Sequence, residues 1–172
     1  MFSHDLQQVM KQKIKGNSFT ENAGKRSKKI PRYLQAKIGE ATNLYTFGKF
    51  EEAIPLFEEV IKEMPDLAEV THTMSLIYEE KGDLQKAFTF GFLSAIETRT
   101  DTDKWKQCAY SAVKIGHFNQ AIYCYNRAVK SLNPEKDFLA ILNIKMEKID
   151  LYFQKGDFCS ITRTVEKQIK LL

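Results

Sequence analysis

Apolar residues recur along most of this chain at spacings of three and four, the period of a helix with one buried face. The pattern is broken at regular places by glycine. Leu34, Ile38, Ala41, Leu44 and Tyr45 form one stripe, Gly48 interrupts, and Ala53, Ile54, Phe57, Val60 and Ile61 form a second that Pro65 ends. Val70, Met74, Leu76, Ile77 and Tyr78 lead to Gly82, after which come Leu84, Ala87, Phe88, Phe90 and Leu93, closed by the polar run Thr98–Thr102. Trp105 and Ala109 precede Gly116, Ala121 and Tyr125 follow it, and Asn133-Pro134 reads as a stop. A longer helix is predicted over about 137–154, rich in Leu139, Ile141, Leu142, Ile144, Ile149, Leu151, Tyr152 and Phe153, before Gly156.

The glycines stand at 48, 82, 116 and 156, at intervals of 34, 34 and 40. After the first three, an alanine follows five residues on, at Ala53, Ala87 and Ala121. A period of about 34 residues, read as two helices and a tight turn, is the tetratricopeptide (TPR) signature. The small alanine lets the second helix approach the first, and the aromatic beside it fills the remaining space. The predicted fold class is therefore all-α, a TPR helix-turn-helix solenoid, a right-handed superhelix of about four repeats near 34–66, 68–101, 102–135 and 136–172. Ile161 replaces the alanine in the fourth repeat, which predicts looser packing there. Pro31 suits an early helical position, and Pro55, close to its helix start, predicts a mild bend. The terminal pair Leu171-Leu172 predicts an open end, belonging either to a fragment or to a surface that docks.

Charge separates an N-terminal arm, residues 1–30, from the array at 31–172. Phe2, Leu6, Val9, Met10 and Ile14 predict a short amphipathic helix, and the polar, glycine-containing stretch 16–30 reads as a linker. Nine basic residues face Glu21 alone between residues 11 and 37, a net of +8, whereas the chain from Ile38 onward carries −3. Lys25, Arg26, Lys28 and Lys29 form a cluster of nuclear-import type, and the arm could touch DNA phosphates without reading sequence. No run reaches the eighteen or more apolar residues of a membrane span, and no signal-peptide stretch opens the chain, so an intracellular protein is expected.

The chemistry-bearing residues point away from an enzyme. Cys108, Cys124 and Cys159 fit neither a zinc motif nor a disulfide framework and are expected as reduced core residues. His4, His72 and His117 lack metal-ligand spacing. No phosphate loop and no nucleophile set at diagnostic spacing occurs. No enzymatic activity, cofactor, metal or small-molecule substrate is expected.

The TPR resemblance implies that the first helix of each repeat lines an inner groove. On the family's positions, the groove candidates are Tyr45 in the first repeat, then Glu69, His72, Leu76, Glu79 and Glu80 in the second. Lys106, Tyr110 and Lys114 follow in the third. Where co-chaperone TPRs hold a carboxylate with cations, this chain has Ile38, Thr42, Thr73, Asp103 and Gln107, so a chaperone C-terminus would be desolvated without compensation. Acids interleaved with Tyr45, Tyr110 and Leu76 suit a helical or extended peptide with apolar anchors and some basic charge.

More particular wording is present too. IGEATNLY at 38–45, followed by Phe47-Gly48-Lys49-Phe50 and Glu52-Ala53-Ile54, is similar to the first repeat of the TPR subunit of transcription factor TFIIIC. IYEEKGD at 77–83 with Lys86-Ala87 resembles its second repeat. Trp105 with QAIYCY at 120–125, Ala128 and Lys130 resembles its third. The likeness spans about residues 16–157. It implies a nuclear scaffold of RNA polymerase III transcription initiation, partnered by other TFIIIC subunits and by TFIIIB components recruited to tRNA-type promoters. The family subunit is much longer, with a second TPR array that this chain does not contain. A cytosolic TPR adaptor or co-chaperone, or a helical-repeat RNA-processing factor, are the alternative readings.

Overall fold

A computed structural model of the protein describes residues 29–169, with side chains to Glu166. These residues form eight helices in four hairpins: α1 (Arg32–Thr46) with α2 (Phe50–Glu63), α3 (Ala68–Glu80) with α4 (Leu84–Thr98), α5 (Thr102–Lys114) with α6 (Phe118–Lys130), and α7 (Phe138–Lys155) with α8 (Phe158–Ile169). The fold is all-helical and of TPR type. Two compact units divide the chain between Glu97 and Thr98.

One turn is built four times. Gly48, Gly82, Gly116 and Gly156 all have φ between +72° and +76°, the left-handed region that residues with a Cβ enter at a cost of about 1–2 kcal/mol. At each, the residue after the glycine donates its amide five residues back: Lys49 to the Leu44 carbonyl, Asp83 to Tyr78, His117 to Ala112 and Asp157 to Tyr152, at 2.8–2.9 Å. This is the Schellman closure, which satisfies the orphan carbonyls of the first helix and reverses the chain into the second.

In unit 1, Ala41 and Ala53 are wholly buried, so α1 and α2 approach closely over Phe57 and Val60. Hydroxyls satisfy what the core buries: Ser75 donates to the Ala87 carbonyl at 2.9 Å and Ser94 to the Ala68 carbonyl at 2.8 Å, tying α3 to α4. Tyr78 and Phe90 stack with centroids 5.5 Å apart. Burial drives the Tyr78 hydroxyl up to about 12, with Glu58 and Asp83 adding to the effect.

In unit 2, Trp105, Ala109, Ala121 and Cys124 are buried between α5 and α6. Lys148 and Lys155 of α7 reach back to Asn126 and Asn119 of α6, at 3.0 and 2.8 Å. Ile141, Ile144 and Leu151 are the buried positions of α7. No described side chain of α8 is buried, consistent with the bulky Ile161 where an alanine would permit close approach.

Two expectations change. Pro31 is the N-cap of α1 and lies just outside it, because its carbonyl accepts the first helical bond from the Gln35 amide. Cys159 is exposed, on the α8 helix that buries nothing described, whereas Cys108 and Cys124 are core residues as expected. α2 includes Pro55 in its interior. The amphipathic stretch expected over 1–15 lies outside the described residues.

Candidate functional site

The groove candidates fall on exposed or half-buried positions of helices whose other face is core. In unit 1, Glu69, His72, Leu76 and Glu80 follow one another at i, i+3, i+7 and i+11 along α3, with Glu79 beside them; none is buried. Val70, Met74 and Ile77 on the same helix are 0–2% exposed, which fixes the rotation of α3 and hence the direction of the stripe. α1 packs on α3 and brings Tyr45 to its end, where the phenol donates a long hydrogen bond of 3.4 Å to Glu80 Oε1. Partial burial raises the Tyr45 pKa above the ordinary tyrosine value, and the Glu80 charge adds to this. The Tyr45 ring lies 6.1 Å from Phe50, so its apolar edge is supported from below.

In unit 2, Lys106, Tyr110 and Lys114 repeat every four residues along α5 and are all exposed, Tyr110 at 59%. The Lys114 ammonium sits 4.5 Å from the Tyr110 ring centroid, a cation–π contact that steadies an otherwise open aromatic. Trp105, Cys108, Ala109 and Ala112 occupy the buried side of this helix.

The two stripes stand in fields of opposite sign. Residues 38–97 carry four lysines against twelve acids, a net of −8, and residues 98–172 carry thirteen cations against eight acids, a net of +5. The sum from Ile38 onward is the mild −3 read from the sequence, which conceals both. The signal was present but needed the boundary at Glu97 to be seen. The acidic α3 stripe carries Leu76 as its apolar member, and Tyr110 stands between two lysines on α5.

Of the basic cluster, Lys29 is exposed just ahead of α1; Lys25, Arg26 and Lys28 lie outside the described residues. Among the described residues no group of three His, Cys, Asp or Glu side chains could hold a metal, and no helix is long and apolar enough to cross a membrane. Hydrogen bonding to Cys124, together with burial, holds the Cys108 thiol well above its usual range.

No protein-family model matches the chain. Over 129 residues, 75% of this chain, it is 33% identical to General transcription factor 3C polypeptide 3 of Homo sapiens. The chain is a homologue of the TPR-containing subunit of TFIIIC. The Transcription factor tau 131 kDa subunit of Saccharomyces cerevisiae is 32% identical over 97 residues, and the tau subunit sfc4 of Schizosaccharomyces pombe 27% over 111, which is 56% and 62% of this chain. The matched parts are 14%, 9% and 11% of those three proteins, so this TFIIIC-type chain spans a small share of the length of its relatives.

Solved structures speak to the fold. MamA of AMB-1 aligns with 98% of this chain and 90% of its own at a TM-score of 0.59 and 13% identity. MamA from residue 41 onward of Desulfovibrio magneticus RS-1 aligns with 80% and 75% at 0.52, also at 13% identity. At such identities the likeness is one of helical-hairpin architecture alone.

Proposed function

We propose that this protein is a nuclear assembly scaffold of RNA polymerase III transcription initiation, a TFIIIC-like subunit that helps bring TFIIIB to tRNA-type promoters. The observation that carries this reading is the 33% identity with the human TFIIIC subunit across three-quarters of the chain. The stripes supply a physical means. Leu76, flanked by His72 and the acids of α3, suits an apolar anchor on a basic helix of a TFIIIB component. Tyr110 with Lys106 and Lys114 suits an acidic segment of a neighbouring TFIIIC or TFIIIB subunit. The basic arm adds sequence-independent contact to DNA phosphates, weakening steeply with salt.

The test is a binding titration of purified TFIIIB components against the whole chain and its Leu76→Ala/Tyr110→Ala variant, with helicity followed by circular dichroism. The reading expects saturable binding, weakened at least ~10-fold in the variant with helicity retained, in line with about 1–2 kcal/mol or more for a central anchor. Equal affinity in the variant would remove the stripes from the interface. Absence of binding by the unaltered chain would remove TFIIIB recruitment.

A further inference from the structure

Unit 2 contains a cavity of about 380 Å³ that no part of the scaffold reading uses. Its volume lies within the ~300–1,000 Å³ of small-ligand sites. α7 contributes Lys145, Lys148 and Tyr152, at i, i+3 and i+7 along one face. α8 contributes Ser160, Arg163 and Thr164 at i, i+3 and i+4, and α6 closes the side with Asn126. Every one of these side chains carries a polar group, three are cationic, and none of the described lining residues is a carboxylate.

The cations come ready placed. The Lys148 ammonium is fixed by donating to Asn126 Oδ1 at 3.0 Å and lies 5.9 Å from the Tyr152 ring. Lys145 and Arg163 approach from the two helices of the hairpin, and among the described residues neither makes an ion pair. Asp157, just ahead of α8, is off the lining and is engaged chiefly by Ser160, with the Lys155 and Arg163 charges adding to this. Its two oxygens accept from the Ser160 hydroxyl at 2.8 Å and the Ser160 amide at 3.1 Å, which hold its carboxyl below the usual aspartate range. Lys145, Lys148 and Arg163 converge on one concave space with no carboxylate among its described lining residues, an arrangement that calls for a compact polyanion.

We propose that this cavity is a binding site for a phosphate monoester, presented as a phosphoserine or phosphothreonine side chain of a partner protein. A monoester brings a charge of about −1.5 to −2 and three acceptor oxygens, enough for a planar guanidinium and two ammonium groups together. A nucleic-acid backbone fits less well. It needs a row of cations, and here α7 carries Glu147 and Asp150 among its lysines while Asp157 caps α8. The lining residues belong to α6, α7 and α8 and include none of the stripe residues of α3 or α5, so its test is separate from the TFIIIB reading.

The experiment is an amide NMR titration of the whole chain with O-phosphoserine, with a serine-phosphorylated peptide and its unphosphorylated twin, and with a short DNA duplex. Saturable shifts confined to residues 126 and 145–164 with phosphoserine and the phosphopeptide, absent with the unmodified twin, are expected. Lys145→Gln/Arg163→Gln should weaken this binding at least ~10-fold while the spectrum elsewhere is kept. Lys136→Gln, an exposed cation off the cavity, should leave it unchanged. Silence towards both phosphorylated probes, equal loss in the Lys136 variant, or a response to the duplex alone would overturn the proposal.

Discussion

The indole Nε1 of Trp105 donates to the carbonyl oxygen of Arg99 at 3.0 Å, and Arg99 is the one non-glycine residue at positive φ, +47°, among those described. Trp105 is wholly buried, with the Arg127 guanidinium 5.2 Å from its ring and Tyr123 edge-on at 6.1 Å. The tryptophan therefore needs a buried acceptor, and the strained turn between α4 and α5 supplies it. Trp105→Phe leaves the Arg99 carbonyl unpaired and opens space beside α6. It should destabilise the chain by about 2–4 kcal/mol in urea unfolding. Arg99→Gly relieves the left-handed conformation and should be neutral or stabilising by about 1 kcal/mol.

The four glycine turns give a second prediction. Nothing lies within 4 Å of a Cβ built at Gly82 or Gly116, so substitution there is penalised by backbone conformation alone. Gly82→Ala and Gly116→Ala should each cost about 1–2 kcal/mol, and Asn at either position less. A denaturant midpoint that does not move would refute the Schellman geometry.

Thiol chemistry separates the cysteines. Cys159 is exposed, while Cys108 and Cys124 are buried and the Cys108 thiol is held in its protonated form. A mild alkylating reagent followed by mass spectrometry should modify Cys159 in the native protein and the other two only in denaturant. Rapid native labelling of Cys108 would contradict the core between α5 and α6.

Alkaline stability follows from two tyrosines. Burial, with Glu147 as a secondary influence, brings Tyr125 to about 12, as burial does for Tyr78. Both are neutral in folded and unfolded chains below about pH 10, so their contribution is intact there. Between about 10 and 12 the unfolded chain ionises them and the folded chain does not, so stability falls as pH rises. Tyr125→Phe should flatten that fall in pH-dependent thermal unfolding, and an unchanged slope would show that Tyr125 ionises normally.

What was legible in the sequence was whatever a repeat must spell out locally. A left-handed turn demands glycine, and close helix contact demands alanine, so Gly48, Gly82 and Gly116 with Ala53, Ala87 and Ala121 announce the hairpins. The left-handed Arg99 was not legible, since arginine carries no mark of a conformation imposed by a tertiary partner. The stripes on α3 and α5 could be placed by family resemblance, but their opposite fields emerged only once the chain divided at Glu97. Lys145 and Arg163 look like ordinary surface cations along the sequence. Only the packing of α7 and α8 brings them to one cavity.

The most direct test of the scaffold account is chromatin immunoprecipitation of the tagged full chain in cells that express it. The account predicts enrichment over tRNA-type promoters, together with TFIIIC and TFIIIB components, reduced in the Leu76→Ala/Tyr110→Ala variant for TFIIIB. A chain present in the nucleus at normal abundance but not enriched at those promoters would contradict it.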